Sequence, residues 1–239
     1  MAHPLDLLVR RLGDGEPLPA DDVEALLALP YTRRVVPPAT YLMREGEPVV
    51  TCSVLISGMA YRHKIAFSGA RQIVSLHIAG EPLDFESLHL QYVDHNVQTL
   101  THAELAVIPQ SAVRELLVRR PTLATAVMRY LLVEASILRE WILNIGRRPA
   151  RERLAHLLCE YAYRLDAQGL SNGRGYELKM TQEQMGDALG LTSVHVNRSL
   201  RTLEGEGLIE RRGRIVSFPN VKQLRKVADF SELYLHQGG

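Results

Sequence analysis

The chain has 239 residues, of which 46% are apolar and 23% are charged, and its formal net charge is +1. A chain of this length can bury a hydrophobic core, and we expect two domains. Its two cysteines, Cys52 and Cys159, match neither a disulfide framework nor a metal-binding spacing, so we expect reduced thiols and no metal site.

The charge is unevenly distributed along the chain. Residues 1–146 contain 13 Lys and Arg against 16 Asp and Glu, a net charge of −3, whereas residues 147–239 contain 15 against 11, a net charge of +4. The C-terminal part is therefore the candidate for binding a polyanion such as nucleic acid.

The sequence lacks the usual signals of a membrane protein. Its apolar stretch at residues 131–145 is interrupted by Glu134, Arg139 and Glu140, and the N-terminus has no export pattern. We expect a soluble, cytoplasmic protein with no membrane partner.

The N-terminal part, residues 1–120, is predicted to be mainly β. The stretch "DDVEALLALP" first predicts a short helix with acidic residues in its first turn and a proline stop. From residue 40 to about 111, short apolar strands then alternate with turn glycines at Gly46, Gly58, Gly69 and Gly80, about 11 residues apart. This pattern predicts an antiparallel sandwich or barrel.

Residues 121–146 change to a helical period. Apolar residues alternate at spacings of four and three, at Ala124, Met128, Leu131, Ala135, Leu138, Ile142 and Ile145. Such a heptad stripe favours a long helix that pairs with the same helix of a second copy, giving a homodimer. The alternative is a helix packed on its own β domain.

Gly146 and Pro149 interrupt this pattern, and a new amphipathic helix follows them. We expect a hinge at residues 146–149 and a separate C-terminal domain at residues 147–239.

The stretch "MTQEQMGDALGLTSVHVNRSL" predicts two short helices joined by a tight turn. Thr181 and Gln184 form a capping-box pattern that starts the first helix, and Gly190 ends it. Thr192 caps the second helix, and Gly186 is small where the two helices must cross. Together these features predict a helix-turn-helix whose second helix enters the major groove of DNA.

The predicted DNA-contacting residues lie on the outer face of this second helix and on a basic hairpin, "LIERRGRIVSF", that follows it. We expect Arg198 to read a guanine edge, Asn197 to contact a base or a phosphate, and Arg201 to contact a phosphate. The complete predicted set is Thr192, Ser193, Val194, Asn197, Arg198, Arg201, Arg212 and Arg214.

These motifs resemble the CRP/FNR family of bacterial transcription regulators over essentially the whole chain. The residues that match the family's helix-turn-helix motif are Gly186, Gly190, Thr192, Val196 and Arg198. The resemblance implies an α+β fold with an N-terminal antiparallel, jelly-roll-like β-roll, a long dimerisation helix and a C-terminal winged helix-turn-helix. It also implies double-stranded DNA and RNA polymerase as partners. Val194 departs from the pattern, because well-known members carry a glutamate there.

The sensing half differs from the members that bind cyclic AMP. The stretch "GEPLDFESLHL" has Phe85 where those members have a ribose-binding glutamate, and no arginine lies between Arg71 and Arg114. Two cysteines cannot hold a four-cysteine iron–sulfur cluster. His63, His77, His89, His95 and His102 do not match the family's haem stretch. We therefore expect no cofactor and no cyclic nucleotide.

The effector, if one exists, is expected to bind between residues 80–88 and the first half of the long helix. The candidate pocket residues are Leu83, Phe85, Glu86, Tyr130 and Leu131, although a plain hydrophobic core explains them equally well. A regulator with no effector and a ligand-binding module that acts through protein partners remain alternatives. The sequence contains no phosphate loop, HExxH or GxSxG motif, so we expect no catalytic residues.

Overall fold

The structure, a computed structural model, describes residues 3–171 and 175–236. The described residues form two compact units. The first is drawn from residues 3–64 and 74–135, and the second from residues 65–73 and 136–236. The predicted domain boundaries at residues 120 and 146 stay predictions.

The order of elements agrees with the predicted α+β class. The helices are α1 Asp6–Leu12, α2 Ala20–Leu27, α3 Gln110–Arg119, α4 Pro121–Arg147, α5 Ala150–Ala167, α6 Gln182–Leu189, α7 Ser193–Gly205 and α8 Val221–Val227. The strands are β1 Thr32–Val36, β2 Tyr41–Met43, β3 Thr51–Ser57, β4 Met59–Ile65, β5 Arg71–Ile78, β6 Asn96–Thr99, β7 Ala103–Pro109, β8 Tyr176–Glu177, β9 Glu210–Arg212 and β10 Ile215–Ser217. Single 3₁₀ turns lie at Phe85–Leu88 and Glu232–Leu235.

Seven strands form two antiparallel sheets in the N-terminal half, with the orders β1-β7-β3 and β2-β6-β4-β5. The predicted turn glycines all have positive φ angles, between +84° and +92°. Position 58 also has no room for a side chain, because a Cβ there would lie 2.2 Å from the carbonyl oxygen of His102. The predicted antiparallel β-roll is therefore confirmed, with the glycines at its tight turns.

One apolar cluster joins these sheets to helices of the first unit. It includes side chains from α1, α2 and the first half of α4, where Leu123, Ala126, Val127 and Tyr130 are buried. These four residues do not belong to the predicted heptad stripe. The first half of α4 therefore does pack on the β domain of its own chain, and it does so mainly through residues outside the stripe, although Leu131 of the stripe also packs against this cluster.

Helix α4 continues through Gly146 and ends at Arg147, so Gly146 does not break it as expected. Glycine is tolerated in a helix at a modest cost, whereas Pro149 lacks the N–H that would extend the helix past this point. In the part of the chain that the structure describes, α4 is also the one helix long and apolar enough to cross a membrane, and 33% of its apolar window is buried within the protein. Core helices of soluble proteins meet the same condition.

The second unit contains the C-terminal end of α4, then α5, the pair α6 and α7, and a small sheet with the order β8-β10-β9. Helix α5 packs against α6, α7 and α8. Strands β9 and β10 form the predicted hairpin, in which Ile215 lies opposite Arg212. This arrangement confirms the predicted winged helix-turn-helix.

Candidate nucleic-acid interface

The two helices of the helix-turn-helix begin and end as their sequence predicts. Thr181 Oγ1 accepts a hydrogen bond from the backbone N–H of Gln184 at 3.2 Å, and Gln184 Oε1 accepts one from the N–H of Thr181 at 2.9 Å. Gly190 ends α6 with a left-handed φ of 62°. Thr192 Oγ1 then accepts from the N–H of His195 at 3.3 Å. These bonds satisfy backbone donors that each helix start leaves unpaired.

The turn between α6 and α7 depends on close approach at Gly186. Its carbonyl accepts a hydrogen bond from the N–H of Leu191 at 3.0 Å, and an added Cβ would lie 2.4 Å from the carbonyl oxygen of Leu191. The facing sides of the two helices are buried, through Met185, Ala188, Leu189, Val196, Leu200 and Leu203. The packing of this face fixes which side of α7 remains outside.

The outer side of α7 forms one wall of a cleft of about 550 Å³. Its lining residues are Gln182, Ser193, Val194, Asn197, Arg198, Arg201 and Thr202. Five of the eight predicted DNA-contacting residues are among them. Thr192 lies at the N-cap of the same helix. Among the described residues, none forms an ion pair with the guanidinium of Arg198.

The three wing arginines differ in their surroundings. Arg211 donates from Nε and Nη2 to the two carboxylate oxygens of Glu204 on α7, at 2.8 and 2.6 Å. This hydrogen bonding lowers the pKa of Glu204. Arg212 and Arg214, the two predicted contact residues, are exposed on either side of Gly213, which has a φ of 64°. Two of the three wing cations are thus open to an incoming anion.

Gln182 was not predicted as part of the site. It is the first residue of α6, yet its Oε1 accepts a hydrogen bond from Nδ2 of Asn197 on α7 at 3.1 Å. The two residues are 15 positions apart in sequence, so no local pattern indicates their contact. Only the crossing of the two helices brings Gln182 into the cleft.

Four of the five candidate effector residues belong to two apolar clusters of the first unit. Phe85 and Tyr130 are buried in the apolar cluster of the first unit, against which Leu131 also packs. Leu83 belongs to a second cluster, between the sheets. The packing matches the core alternative for these four residues.

Glu86 faces an arginine that the sequence reasoning missed. The Nη2 atom of Arg62, on β4, lies 2.6 Å from Oε1 of Glu86. The same Nη2 also donates a hydrogen bond to the carbonyl of Leu83 at 3.0 Å. The neighbouring carboxyl of Asp84 is buried and accepts from the N–H of Ser53 at 3.0 Å, and burial raises its pKa. The charge of Arg62 is therefore already balanced within the protein.

The predicted dimerisation stripe lies on the surface of α4. Met128, Leu138 and Ile142 are exposed, Ile142 to 71%, and Leu131, Ala135 and Ile145 are partly exposed. On the C-terminal half of the helix, the buried residues are instead Ser136, Ile137, Trp141 and Asn144. A single chain thus leaves these stripe residues partly or fully exposed.

Both halves of the chain match known domain families. Residues 33–120 match the family described as cyclic nucleotide-binding domain, and residues 152–227 match the family described as Crp-like helix-turn-helix domain. The chain is 27% identical over 211 residues to electron transport regulator A of Shewanella oneidensis, covering 88% of this chain and 84% of that protein. It is 26% identical over 187 residues to the fumarate and nitrate reduction regulatory protein of Escherichia coli, covering 78% and 74%.

Solved structures share the fold. FixK2 from Bradyrhizobium japonicum superposes with a TM-score of 0.78 at 22% identity, covering 85% of this chain and all of that one. The c-di-GMP responsive regulator CLP of Xanthomonas campestris gives a TM-score of 0.67 at 21% identity, covering 84% and 99%. The β-roll, the long helix, the winged helix-turn-helix and the two domain matches all agree. The chain therefore belongs to the CRP/FNR family of DNA-binding transcription regulators, which are not enzymes.

Proposed function

We propose that this protein is a homodimeric, cytoplasmic transcription regulator that binds an inverted-repeat operator with half-sites one helical turn apart. The observation that carries the proposal is the outer face of α7, where Val194, Asn197 and Arg198 lie in one cleft and the apolar side is buried. A helix of this kind fits the major groove, and two copies related by a two-fold axis read a palindrome.

The residues of the cleft divide into two roles. Arg198 has no ion-pair partner among the described residues, so its guanidinium is available to bond both acceptors of a guanine edge. Arg201, Arg212 and Arg214 are exposed and contact phosphates, which adds affinity without reading sequence.

The pairing surface of the dimer is the stripe on α4. Apolar side chains such as Met128 and Ile142 are exposed in the single chain, and a heptad spacing is suited to a partner helix. Like other regulators that act at promoters, the dimer would work together with RNA polymerase.

The effector is not a cyclic nucleotide bound through an arginine in the usual way. A cyclic phosphate needs an unpaired cation, but Arg62 is already bonded to Glu86, and the carboxyl of Asp84 lies close by. An uncharged ligand, or regulation by abundance alone, remains compatible with the roll.

Selection of bound DNA from a random pool, with the purified dimer, tests this proposal. We expect an inverted repeat. Arg198→Ala should relax the preference at one base pair per half-site, at a cost of about 1–3 kcal/mol. Arg212→Ala should instead weaken binding to all sequences alike. It should also make the slope of log affinity against log salt concentration shallower, by the amount that corresponds to about one phosphate contact per protomer.

A pool that yields no symmetric site at moderate salt would contradict the proposal. So would an Arg198→Ala protein that selects the same sequence as the wild type. Repeating the selection with and without a small-molecule extract shows whether an effector changes the affinity.

A further inference from the structure

The face of α7 that points into the cleft has an uncharged part as well as a basic one. Val194 is 65% exposed there, although it is apolar. Residues three and four positions apart share a helix face, so Val194, Asn197 and Arg198 present adjacent side chains. A valine has no polar atom with which to bond a base, and it can contact only an apolar group in the groove.

Asn197, its neighbour, is held by Gln182 from the other helix. One N–H of the Asn197 amide donates to Gln182 Oε1 at 3.1 Å. Its second N–H and its Oδ1 have no partner among the described residues. The bond to Gln182 thus restricts the rotation of the Asn197 amide, and one donor and one acceptor of this cleft-lining residue stay available for a base.

We infer that Val194 and the Gln182–Asn197 amide pair together read one A·T base pair, next to the base pair contacted by Arg198. In this arrangement Asn197 bonds the adenine, Val194 contacts the thymine methyl group, and Gln182 is a positioning residue that orients Asn197. The inference rests on the proposed function and adds to it the identity of one operator base pair.

The chemistry of the major groove supports this choice. Adenine offers an acceptor at N7 and a donor at N6, which match the free N–H and Oδ1 of an asparagine amide. Its partner thymine carries the only methyl group among the four bases, and apolar side chains contact it. A G·C pair has no methyl group, and its guanine presents two acceptors, which leave Oδ1 of Asn197 unpaired.

The first test removes a single methyl group from the DNA. In the operator selected from the random pool, each thymine in turn is replaced by deoxyuridine, which lacks only that methyl. We expect one thymine per half-site at which this replacement weakens binding about 4-fold, because burying one methyl or methylene group contributes about that factor to an affinity. Val194→Ala should bind the thymine and uracil operators equally at that position.

The second test examines the positioning role of Gln182. Replacing the paired adenine by 7-deazaadenine should weaken wild-type binding about 5-fold or more. Gln182→Ala should lower the preference for A·T at this pair without changing preferences elsewhere. Gln182→Glu, which keeps an acceptor for Nδ2 of Asn197, should retain the preference while its charge weakens all sequences alike. Glu183→Ala, at the exposed neighbouring position, is the control and should keep the preference.

The outcomes separate the two claims. If no operator is selected, both the proposed function and this inference are overturned. If an operator is selected but no thymine responds to deoxyuridine, or Val194→Ala still responds, only the inference is overturned. A uniform loss of affinity in Gln182→Ala, with the A·T preference intact, would overturn the role of Gln182.

Discussion

Trp141 donates its indole N–H to the carboxylate of Glu160, at 3.1 and 3.0 Å from the two oxygens. Glu160 also accepts from the hydroxyl of Tyr234 at 2.8 Å and from Nη1 of Arg164 at 3.3 Å. These bonds connect the C-terminal end of α4, helix α5 and the last 3₁₀ turn within the second unit. Burial raises the pKa of Glu160, and its hydrogen bonds oppose that effect.

Removing this carboxylate should strongly destabilise the second unit. Glu160→Ala removes the buried carboxylate that pairs with Arg164 and accepts from Trp141 and Tyr234, and breaking one side of a buried pair costs about 3–5 kcal/mol. Trp141 is the single tryptophan of the sequence, so its fluorescence during urea unfolding reports on this unit directly. Glu210→Ala, at an exposed site, is the control and should change stability by less than about 0.5 kcal/mol. Equal midpoints for the two variants would contradict the expectation.

Stability should also fall in mild acid because of His156. Burial, together with the charge of Arg148, lowers its pKa from 6.5 to about 4. Its other charged neighbours are Glu140 and Glu160, at 3.7 and 4.0 Å, and Asp229. Because the unfolded chain binds a proton near pH 6.5 and the folded chain only near pH 4, stability is lost as the pH falls between these values.

Below pH 4, the free energy of unfolding should be lower by about 3 kcal/mol because of this shift in the pKa of His156. This loss is measured as the difference in unfolding free energy between the wild type and His156→Gln across this pH range, which removes the contributions of other groups. A pH-independent difference would show that His156 titrates alike in both states.

The stripe on α4 should control association. Ile142→Asp inserts a charge into the proposed pairing surface, and we expect a shift towards monomer in sedimentation experiments. Leu143→Asp provides a matched control on the same turn, because Leu143 is also exposed, to 44%, but lies outside the stripe. Equal dissociation constants for the two variants would argue against pairing through the stripe.

The two helical glycines near the recognition helix should respond oppositely to alanine. A Cβ at Gly186 meets the carbonyl oxygen of Leu191, so Gly186→Ala should destabilise the unit by about 1–3 kcal/mol. Gly205 has open space around it, and Gly205→Ala should stabilise by about 0.4–1 kcal/mol through the unfolded chain. Thermal unfolding measures both, and a stabilised Gly186→Ala would show that the helices can separate at no cost.

The sequence predicted the elements whose signals are local. The capping box at Thr181, the turn glycine Gly190 and the basic hairpin around Gly213 each require only neighbouring residues, and each has the predicted geometry. Helices α1 and α3 were not predicted, and neither begins with a side chain that caps it. Strand β1 was missed because four of its five residues are exposed, so it shows no alternation.

The missed parts of the sites involve contacts between distant residues. Arg62 and Glu86, or Gln182 and Asn197, become neighbours only when strands pair or helices cross. The buried pair of Arg11 and Glu81 is 70 positions apart. Charge pairing of this kind has no periodicity, and a composition or spacing rule does not detect it.

The bond between Arg211 and Glu204 has a consequence for how the regulator searches DNA. Sequence-independent binding to DNA is driven by the release of counterions when Lys and Arg side chains contact phosphates. Arg211 is already paired with Glu204 inside the domain, so it adds little to this release. The same bond fastens the wing to the end of α7 and limits the freedom with which either can adapt to a wrong site. The ion pair thus lowers the affinity for unrelated DNA. The time that the regulator stays bound at a site then depends more on its contacts with the base edges.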